Sequence, residues 1–129
     1  MLPEDVSLIL GKNYKELQKQ KGLGEKEYMG EALIGLIYEE KWFDWNEKVK
    51  ATYGIGDGPT KDQITSINFE FAKGTDDDQL IEQISKYLGE GEKHEGGETN
   101  NYYIVWKQDD VFYYLTGYDY LVMSVYKEE

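Results

Sequence analysis

Residues 111–126, VFYYLTGYDYLVMSVY, contain five tyrosines and one phenylalanine in sixteen positions. Aromatic and β-branched residues at alternating positions favour strands over helices. Together with NYYIVWK at 101–107, this stretch predicts three antiparallel strands, with QDD and GY as their short connections. The C-terminal part of the chain is therefore expected to form a β-meander.

The lengths of the two connections decide which side chains share a face. With three residues at QDD and two at GY, one face carries Tyr102, Ile104, Trp106, Phe112, Tyr114, Leu121, Met123 and Val125. This face is expected to pack on helices. The opposite face carries Tyr103, Val105, Lys107, Val111, Tyr113, Leu115, Tyr120, Val122, Ser124 and Tyr126. It is too apolar for an ordinary solvated sheet surface. A slip of one residue at QDD would exchange the faces of the first strand.

Two helices are predicted, at 13–21 and 76–88. Each begins near a residue whose side chain can accept hydrogen bonds from free backbone amides, Asn13 or Thr75, with an acidic residue three positions later. In the second helix the apolar residues lie on one side, at the helical period. A further short helical turn is expected at 4–10.

The segment between these helices predicts another hairpin. VKATYGI at 49–55 and ITSINFEF at 64–71 both alternate between apolar and polar residues. The YGIGDGPTK segment at 53–61 is typical of a hairpin turn, because a phosphate loop needs Gly-Lys-Ser/Thr at the start of a helix. A further strand is predicted at about 31–38, although the apolar spacing in EYMGEALIGLIYEEKW also fits a helix.

Similar phrases follow the two helices, GLGEKEY at 22–28 and YLGEGEKH at 87–94, and each leads into strand-like sequence. We interpret them as an internal repeat of about sixty residues. The predicted fold is α+β: two repeats of a helix followed by three antiparallel strands, with the helices packed on one face of the sheet. The chain 1–129 is expected to be a single domain, built from repeat 1 (about 1–74) and repeat 2 (about 75–129).

Charge and composition exclude several classes of partner. The net charge is −12, and all 14 basic residues are lysines, whereas nucleic-acid binders normally show a basic, arginine-bearing patch. We therefore expect no nucleic-acid partner, and either a basic protein partner or simple solubility as the role of the charge. No apolar run reaches the roughly 18 residues of a membrane span. The absence of cysteine excludes disulfides and thiolate chemistry.

No catalytic, cofactor-binding or metal site is predicted. The single histidine, His94, lies in a Gly/Glu-rich segment without further ligands for zinc or a partner for a triad. The run TDDD at 75–78 is better explained as a helix start than as a calcium loop. The expectation is a protein that is not an enzyme and holds no cofactor.

The predicted contact site is aromatic. EEKWFDWNE at 39–47 places two tryptophans in a charged neighbourhood, where they either anchor one end of the sheet or contribute to a contact site, as tryptophan and tyrosine do in binding hot spots. The candidate partner-binding residues are Tyr103, Tyr113, Leu115, Tyr120, Val122, Tyr126, Trp42 and Trp45. The partner would be another protein or a second copy of the chain.

Two parts of the chain have the same order of helix and strands: LGKNYKELQKQKGLG with strands ending in ITSINFEF, and TDDDQLIEQISKYLGEG with strands ending in LVMSVYKEE. Together they resemble the tandem modules of β-lactamase-inhibitor-protein-like domains. The small outer-membrane-assembly lipoproteins show a similar order of helix and meander. The resemblance implies a non-catalytic binding module, commonly exported, whose sheet presents a concave face to another protein.

Three functional hypotheses follow. The first is a protein-binding module of the bacterial cell envelope or exterior, with its leader removed, that uses the aromatic sheet face. The alternative is a cytosolic, acidic immunity-type protein that neutralises a basic toxin, in which case Met1 is the native start. The second alternative is a small ligand carrier or hydrolase with a pocket between helices and sheet.

Overall fold

The computed structural model describes residues 3–42, 45, 47–95, 102–117 and 121–127. The elements in chain order are α1 (Pro3–Ile9), α2 (Tyr14–Lys21), β1 (Glu25–Met29), β2 (Ala32–Lys41), β3 (Lys48–Ile55), a 3-10 turn (Gly58–Thr60), β4 (Ile64–Glu70), α3 (Asp77–Leu88), β5 (Glu92–Glu95), β6 (Tyr102–Gln108), β7 (Val111–Gly117) and β8 (Leu121–Lys127). None of the helices in the described ranges is long and apolar enough to cross a membrane.

All eight strands form one antiparallel sheet in the order β1-β2-β3-β4-β8-β7-β6-β5. The α+β class and the antiparallel sheet are as predicted. The prediction of two repeats with three strands each is wrong, because β1–β4 and β5–β8 are meanders of four strands that join into a single sheet through β4 and β8. The sequence missed β1 and β5 because they lack alternation: β1 is exposed along its whole length, and β5 reads EKHE.

The helix predictions agree with the structure, apart from one cap. The Asn13 side chain accepts a hydrogen bond from the Lys15 amide at 2.9 Å, as expected for the start of α2. For α3 the cap is Asp76, which accepts from the Gln79 amide at 3.2 Å. Thr75, the predicted cap, instead donates its hydroxyl to the Ala72 carbonyl at 2.6 Å.

In the first meander, β3 and β4 follow the alternation of apolar and polar residues that the sequence predicts. β2 is a strand and not the alternative helix, and it extends further than the predicted 31–38. β3 pairs with β4 through the predicted hairpin, whose connection contains the 3-10 turn. Phe71 closes the far end, because its amide donates to the Leu121 carbonyl at 3.0 Å.

The core lies on one face of the sheet, under the three helices. The helices contribute Val6, Ile9, Leu17, Leu80 and Ile84, and Leu10 directly after α1 joins them. The strands contribute, among others, Leu36, Tyr53, Ile67, Phe69, Ile104, Trp106, Tyr113, Leu115, Met123 and Val125. Burial of this apolar surface is the dominant favourable term in folding. The other face of the sheet is left without a helix among the described residues.

The faces of β7 are the reverse of the prediction. Gln108 pairs with Val111, so two residues connect β6 to β7, and Gly117 pairs with Leu121, so three residues separate β7 from β8. The predicted connections were three and two residues long. Each error shifts the register by one residue, and together they invert β7 while leaving β6 and β8 as predicted.

Candidate binding face

An unbroken row of aromatic rings crosses the uncovered face of β5–β8. Its members, in spatial order, are His94, Tyr103, Tyr114, Tyr126 and Phe112, and we call them the aromatic row. The ring centroids of consecutive members lie 4.7, 5.9, 5.7 and 5.6 Å apart. The ring planes differ by only 14–29°, so the rings stack on one another across four strands.

Local sequence places these rings outside the core. In β7 the buried residues are Val111, Tyr113 and Leu115, so Phe112 and Tyr114 point the other way. Tyr103 is the most open member, with 40% of its surface exposed. The remaining members are half-buried against their neighbours in the row.

The surface around the row carries few charges. Of the twelve outward side chains on β4, β6, β7 and β8, only Glu70 and Lys107 are charged. The other ten are Ser66, Asn68, Tyr103, Val105, Phe112, Tyr114, Thr116, Val122, Ser124 and Tyr126. We call this surface the aromatic face. Charged groups lie at its rim, where the Lys107 ammonium sits 5.3 Å from the Phe112 ring centroid and Glu92 Oε1 lies 3.1 Å from His94 Nε2. In a chain with 31% charged residues, this is a local depletion of charge.

Hydrogen bonds between outward side chains fix parts of the aromatic face. The Ser124 hydroxyl donates to Asn68 Oδ1 at 2.7 Å, which joins β8 to β4. The hydrogen bond between the Tyr114 and Tyr126 side chains raises the pKa of Tyr126, and burial adds to this effect. The face is therefore partly organised before any partner binds.

The predicted contact residues fall into three groups. Tyr103, Val122 and Tyr126 lie on the aromatic face. Tyr113 and Leu115 were expected on that face, but the structure places both in the core, where 1% and 0% of their surfaces are exposed. Burial raises the pKa of Tyr113 to about 12. Tyr120 lies outside the described residues.

The two tryptophans are not members of the aromatic row and pack against residues at the end of the first meander. Trp42 is fully buried, with its ring centroid 4.4 Å from that of Phe69. Trp45 is half-buried and meets Phe71 edge-on at 6.5 Å. Both therefore pack at one end of the sheet, in agreement with the interpretation as an anchor.

Three members of the aromatic row were absent from the predicted site. Phe112 and Tyr114 had been assigned to the packed face, and His94 to a solvated segment without a strand. The pair Asp109-Asp110 could have indicated the correct register, since a two-residue connection is the commonest hairpin loop and these two residues suit a turn. No comparable signal marks His94, because the strand around it is short and polar.

A cavity of about 560 Å³ lies on the other side of the sheet, where α1, α2 and the end of β2 meet. Its lining residues are Asp5, Leu8, Ile9, Lys12, Gln20, Lys21, Glu40 and Lys41. One wall is a polar network, in which the Tyr53 hydroxyl donates to Glu40 Oε1 and Lys21 Nζ lies 2.8 Å from Glu40 Oε2. Burial, followed by the charge of Glu40, raises the pKa of Tyr53.

The aspartates at the start of α3 serve the helix. The carboxylates of Asp76, Asp77 and Asp78 come within 4.8 Å of one another. Asp76 caps the helix, and Asp77 accepts hydrogen bonds from the Tyr102 hydroxyl at 2.9 Å and from the Asp78 amide at 3.1 Å. Negative charge at a helix N-terminus is favourable in itself, so these contacts account for the cluster.

Comparison with known proteins adds a fold relative. No family model matches the chain, and no curated protein matches its sequence. Among solved structures, the chain is similar to a DUF4309 family protein, YjgB, from Bacillus subtilis subsp. subtilis str. 168. The TM-score is 0.54 at 15% identity, over 91% of this chain and 79% of that one. At this identity the likeness shows a shared fold. The resemblance to β-lactamase-inhibitor-protein-like domains stays a prediction.

Proposed function

We propose that this protein is a non-catalytic protein-binding module whose contact surface is the aromatic face. The observation that supports the proposal is the aromatic row, five stacked rings on a sheet face that no described helix covers. Soluble proteins seldom expose a large continuous apolar patch unless it binds something.

The composition of the aromatic face also favours a protein partner. The central parts of protein interfaces are depleted of charge and enriched in aromatic residues, with polar groups at the rim. The aromatic face has this arrangement, with Lys107 and Glu92 at its border. Tyrosine is well suited to such a surface, because it offers a large contact area and a hydroxyl while losing little conformational entropy.

Substitution within the row tests this function. The probe is the protein partner isolated by photo-crosslinking from extracts of the source cells, and its affinity is measured by isothermal titration calorimetry. The double variant Tyr114→Ser/Tyr126→Ser is expected to weaken binding by at least about a hundredfold, as expected for two hot-spot residues. Circular dichroism checks that the variant keeps its fold.

Tyr28→Ser is the matched control. Tyr28 is a tyrosine with 54% of its surface exposed, but it lies on edge strand β1 at the far end of the sheet. This variant is expected to bind as the unchanged protein does. Equal loss in the double variant and the control, or no loss in either, would reject the aromatic face as the contact surface. Sedimentation of the unchanged protein identifies a second copy of the chain as the partner if it shows a dimer that the double variant lacks.

Net charge favours a second candidate, an immunity-type protein that neutralises a basic toxin. The net charge of −12 would attract a basic partner by long-range steering, and the association rate would fall as salt rises. Binding through the uncharged aromatic face would change little between low and high salt. A steep salt dependence that survives the Tyr114→Ser/Tyr126→Ser double variant therefore favours the immunity function.

The proposal includes an exported or cell-envelope location, which is supported by the resemblance to exported binding modules. Fractionation of source cells with an antibody against the chain tests this part separately. Recovery in the cytoplasm alone would favour the immunity-type candidate.

A further inference from the structure

The cavity between α1, α2 and β2 is separate from the aromatic face and lies on the opposite side of the sheet. Its volume of about 560 Å³ falls within the range of small-molecule sites, about 300–1,000 Å³. Leu8 lines it with 64% of its surface exposed, next to the buried Ile9. A large apolar side chain at the mouth of a cavity offers a contact for an apolar ligand body.

The charge of the lining is opposite to that of the chain. Three lysines, Lys12, Lys21 and Lys41, and two carboxylates, Asp5 and Glu40, line the cavity, which gives a formal charge of +1. The whole chain carries −12. The excess of positive charge in the lining favours an anion over a cation at short range, although the chain as a whole is acidic.

The charges of the lining are not equally available. Both Glu40 oxygens already have donors, the Tyr53 hydroxyl and the Lys21 ammonium, and the Lys21 and Glu40 side chains are only 27% and 10% exposed. This pair forms a fixed wall and satisfies its own charges. Lys12, by contrast, forms no ion pair with any residue that the structure describes. Its ammonium is the cation of the lining that is left for a ligand.

We propose that this cavity binds a monoanionic amphiphile, a carboxylate with a medium-length aliphatic chain. The carboxylate pairs with the Lys12 ammonium, and the aliphatic chain packs against Leu8 and Ile9. The excess of one positive charge matches one carboxylate. Asp5 and Glu40 in the same lining disfavour a dianion such as phosphate, because like charges in one site repel.

Nuclear magnetic resonance of the full chain tests the ligand class. Octanoate is expected to shift the amide signals of residues 8–12 and 20–21 in a saturable way. Octylammonium has the same apolar body with the opposite charge, acetate has the charge without the body, and inorganic phosphate at pH 8 is mainly a dianion. None of these three is expected to shift those signals. Equal shifts from octanoate and octylammonium, shifts from phosphate, or no saturable shift with octanoate would overturn the proposal.

Two matched pairs of variants test the residues. Lys12→Glu is expected to weaken octanoate binding by about tenfold or more, the size of a lost charged hydrogen bond, whereas Lys15→Glu makes the same charge change on exposed α2 outside the lining and should leave it unchanged. Leu8→Ser should weaken binding severalfold, and Leu23→Ser, at a leucine that is 70% exposed elsewhere, should not. Equal effects within either pair would contradict the assignment. These measurements do not depend on the aromatic face, so their outcome is independent of the proposed function.

Discussion

Trp106 and Tyr113 lie directly opposite each other in the β6–β7 ladder, and both are buried, with 2% and 1% of their surfaces exposed. Tyr114, the next residue, stacks on Tyr126 on the opposite face, with ring centroids 5.7 Å apart. Adjacent tyrosines in one strand therefore have different roles. Tyr113 holds the core together, and Tyr114 belongs to the proposed contact surface.

Alanine substitution of the two tyrosines should separate these roles. Tyr113→Ala is expected to lower the free energy of unfolding by about 3–5 kcal/mol, because it leaves a cavity in the core. Tyr114→Ala removes the same atoms from the uncovered face, where the ring stacks on both Tyr103 and Tyr126, and should cost about 1–3 kcal/mol, less than the core variant. Urea unfolding followed by circular dichroism measures both. Comparable losses in the two variants would contradict the register of β7.

Periodicity predicted the elements that bury one clear stripe or face. The α3 helix and the strands β3 and β4 place apolar residues at regular intervals against the core, and the sequence located each of them. The edge strands β1 and β5 were not predicted because their side chains are mostly exposed and show no regular alternation of apolar and polar residues. Their identity as strands comes from pairing with a neighbour, which is not encoded locally.

The candidate site was predicted in part, for a related reason. Val111 to Leu115 are apolar or aromatic at every position, so both faces of β7 look alike in the sequence and only the turn lengths can orient the strand. The sequence predicted one face that packs on helices and a second apolar face, and among the described residues no helix lies on the second. Which tyrosines belong to it depended on a turn that differs from the predicted one by a single residue.

The β6–β7 turn itself offers a test. Asp109 has a φ of 56°, in the left-handed region that L-residues adopt at a cost of about 1–2 kcal/mol, whereas Asp110 has no positive φ. Asp109→Gly is therefore expected to raise the free energy of unfolding by about 0.5–1 kcal/mol, the gain being reduced by the entropy of glycine in the unfolded chain. Asp110→Gly should lower it slightly. Chemical unfolding of both variants measures the two free energies of unfolding. If Asp110→Gly were the more stable variant, the residue with positive φ in the turn would not be Asp109.

Gly117 should be sensitive to any side chain, because the ring of Tyr102 lies over it. A Cβ at this position would come within 2.6 Å of that ring, whose hydroxyl donates to Asp77 at the start of α3. Gly117→Ala would push the ring away and weaken the contact between sheet and helix, at an expected cost of about 1–3 kcal/mol.

A double-mutant cycle isolates this contact. In a Tyr102→Ala background the ring is gone, so the added methyl group of Gly117→Ala should cost much less than it does in the unchanged protein. Thermal and urea unfolding of the four proteins give the interaction energy. Additive costs would show that the ring is not what Gly117 accommodates.

Because several tyrosines are buried, the free energy of unfolding should fall at alkaline pH. The pKa of Tyr113 is raised by burial from 10.0 to about 12, and those of Tyr53 and Tyr102 are raised by burial and by hydrogen bonds to Glu40 and Asp77. Above pH 10 the unfolded chain loses these phenolic protons while the folded protein keeps them. The contribution of Tyr113 to stability is thus fully present below pH 10, and it is lost between pH 10 and about 12, with a slope approaching about 1.4 kcal/mol per pH unit.

Urea midpoints measured at half-unit steps from pH 8 to 11.5 would show this decline, and tyrosinate absorbance reports the ionisation directly. Tyr113→Phe removes one titrating group from the core and should flatten the decline above pH 10 while leaving the slope below pH 9 unchanged. Tyr28→Phe, on the exposed edge strand, is the control and should follow the unchanged protein. A decline that is already complete by pH 9, or an equal slope in Tyr113→Phe, would show that Tyr113 is not the buried titrating group. Because the inverted faces of β7 are what bury this phenol, the titration tests the register independently of the alanine variants.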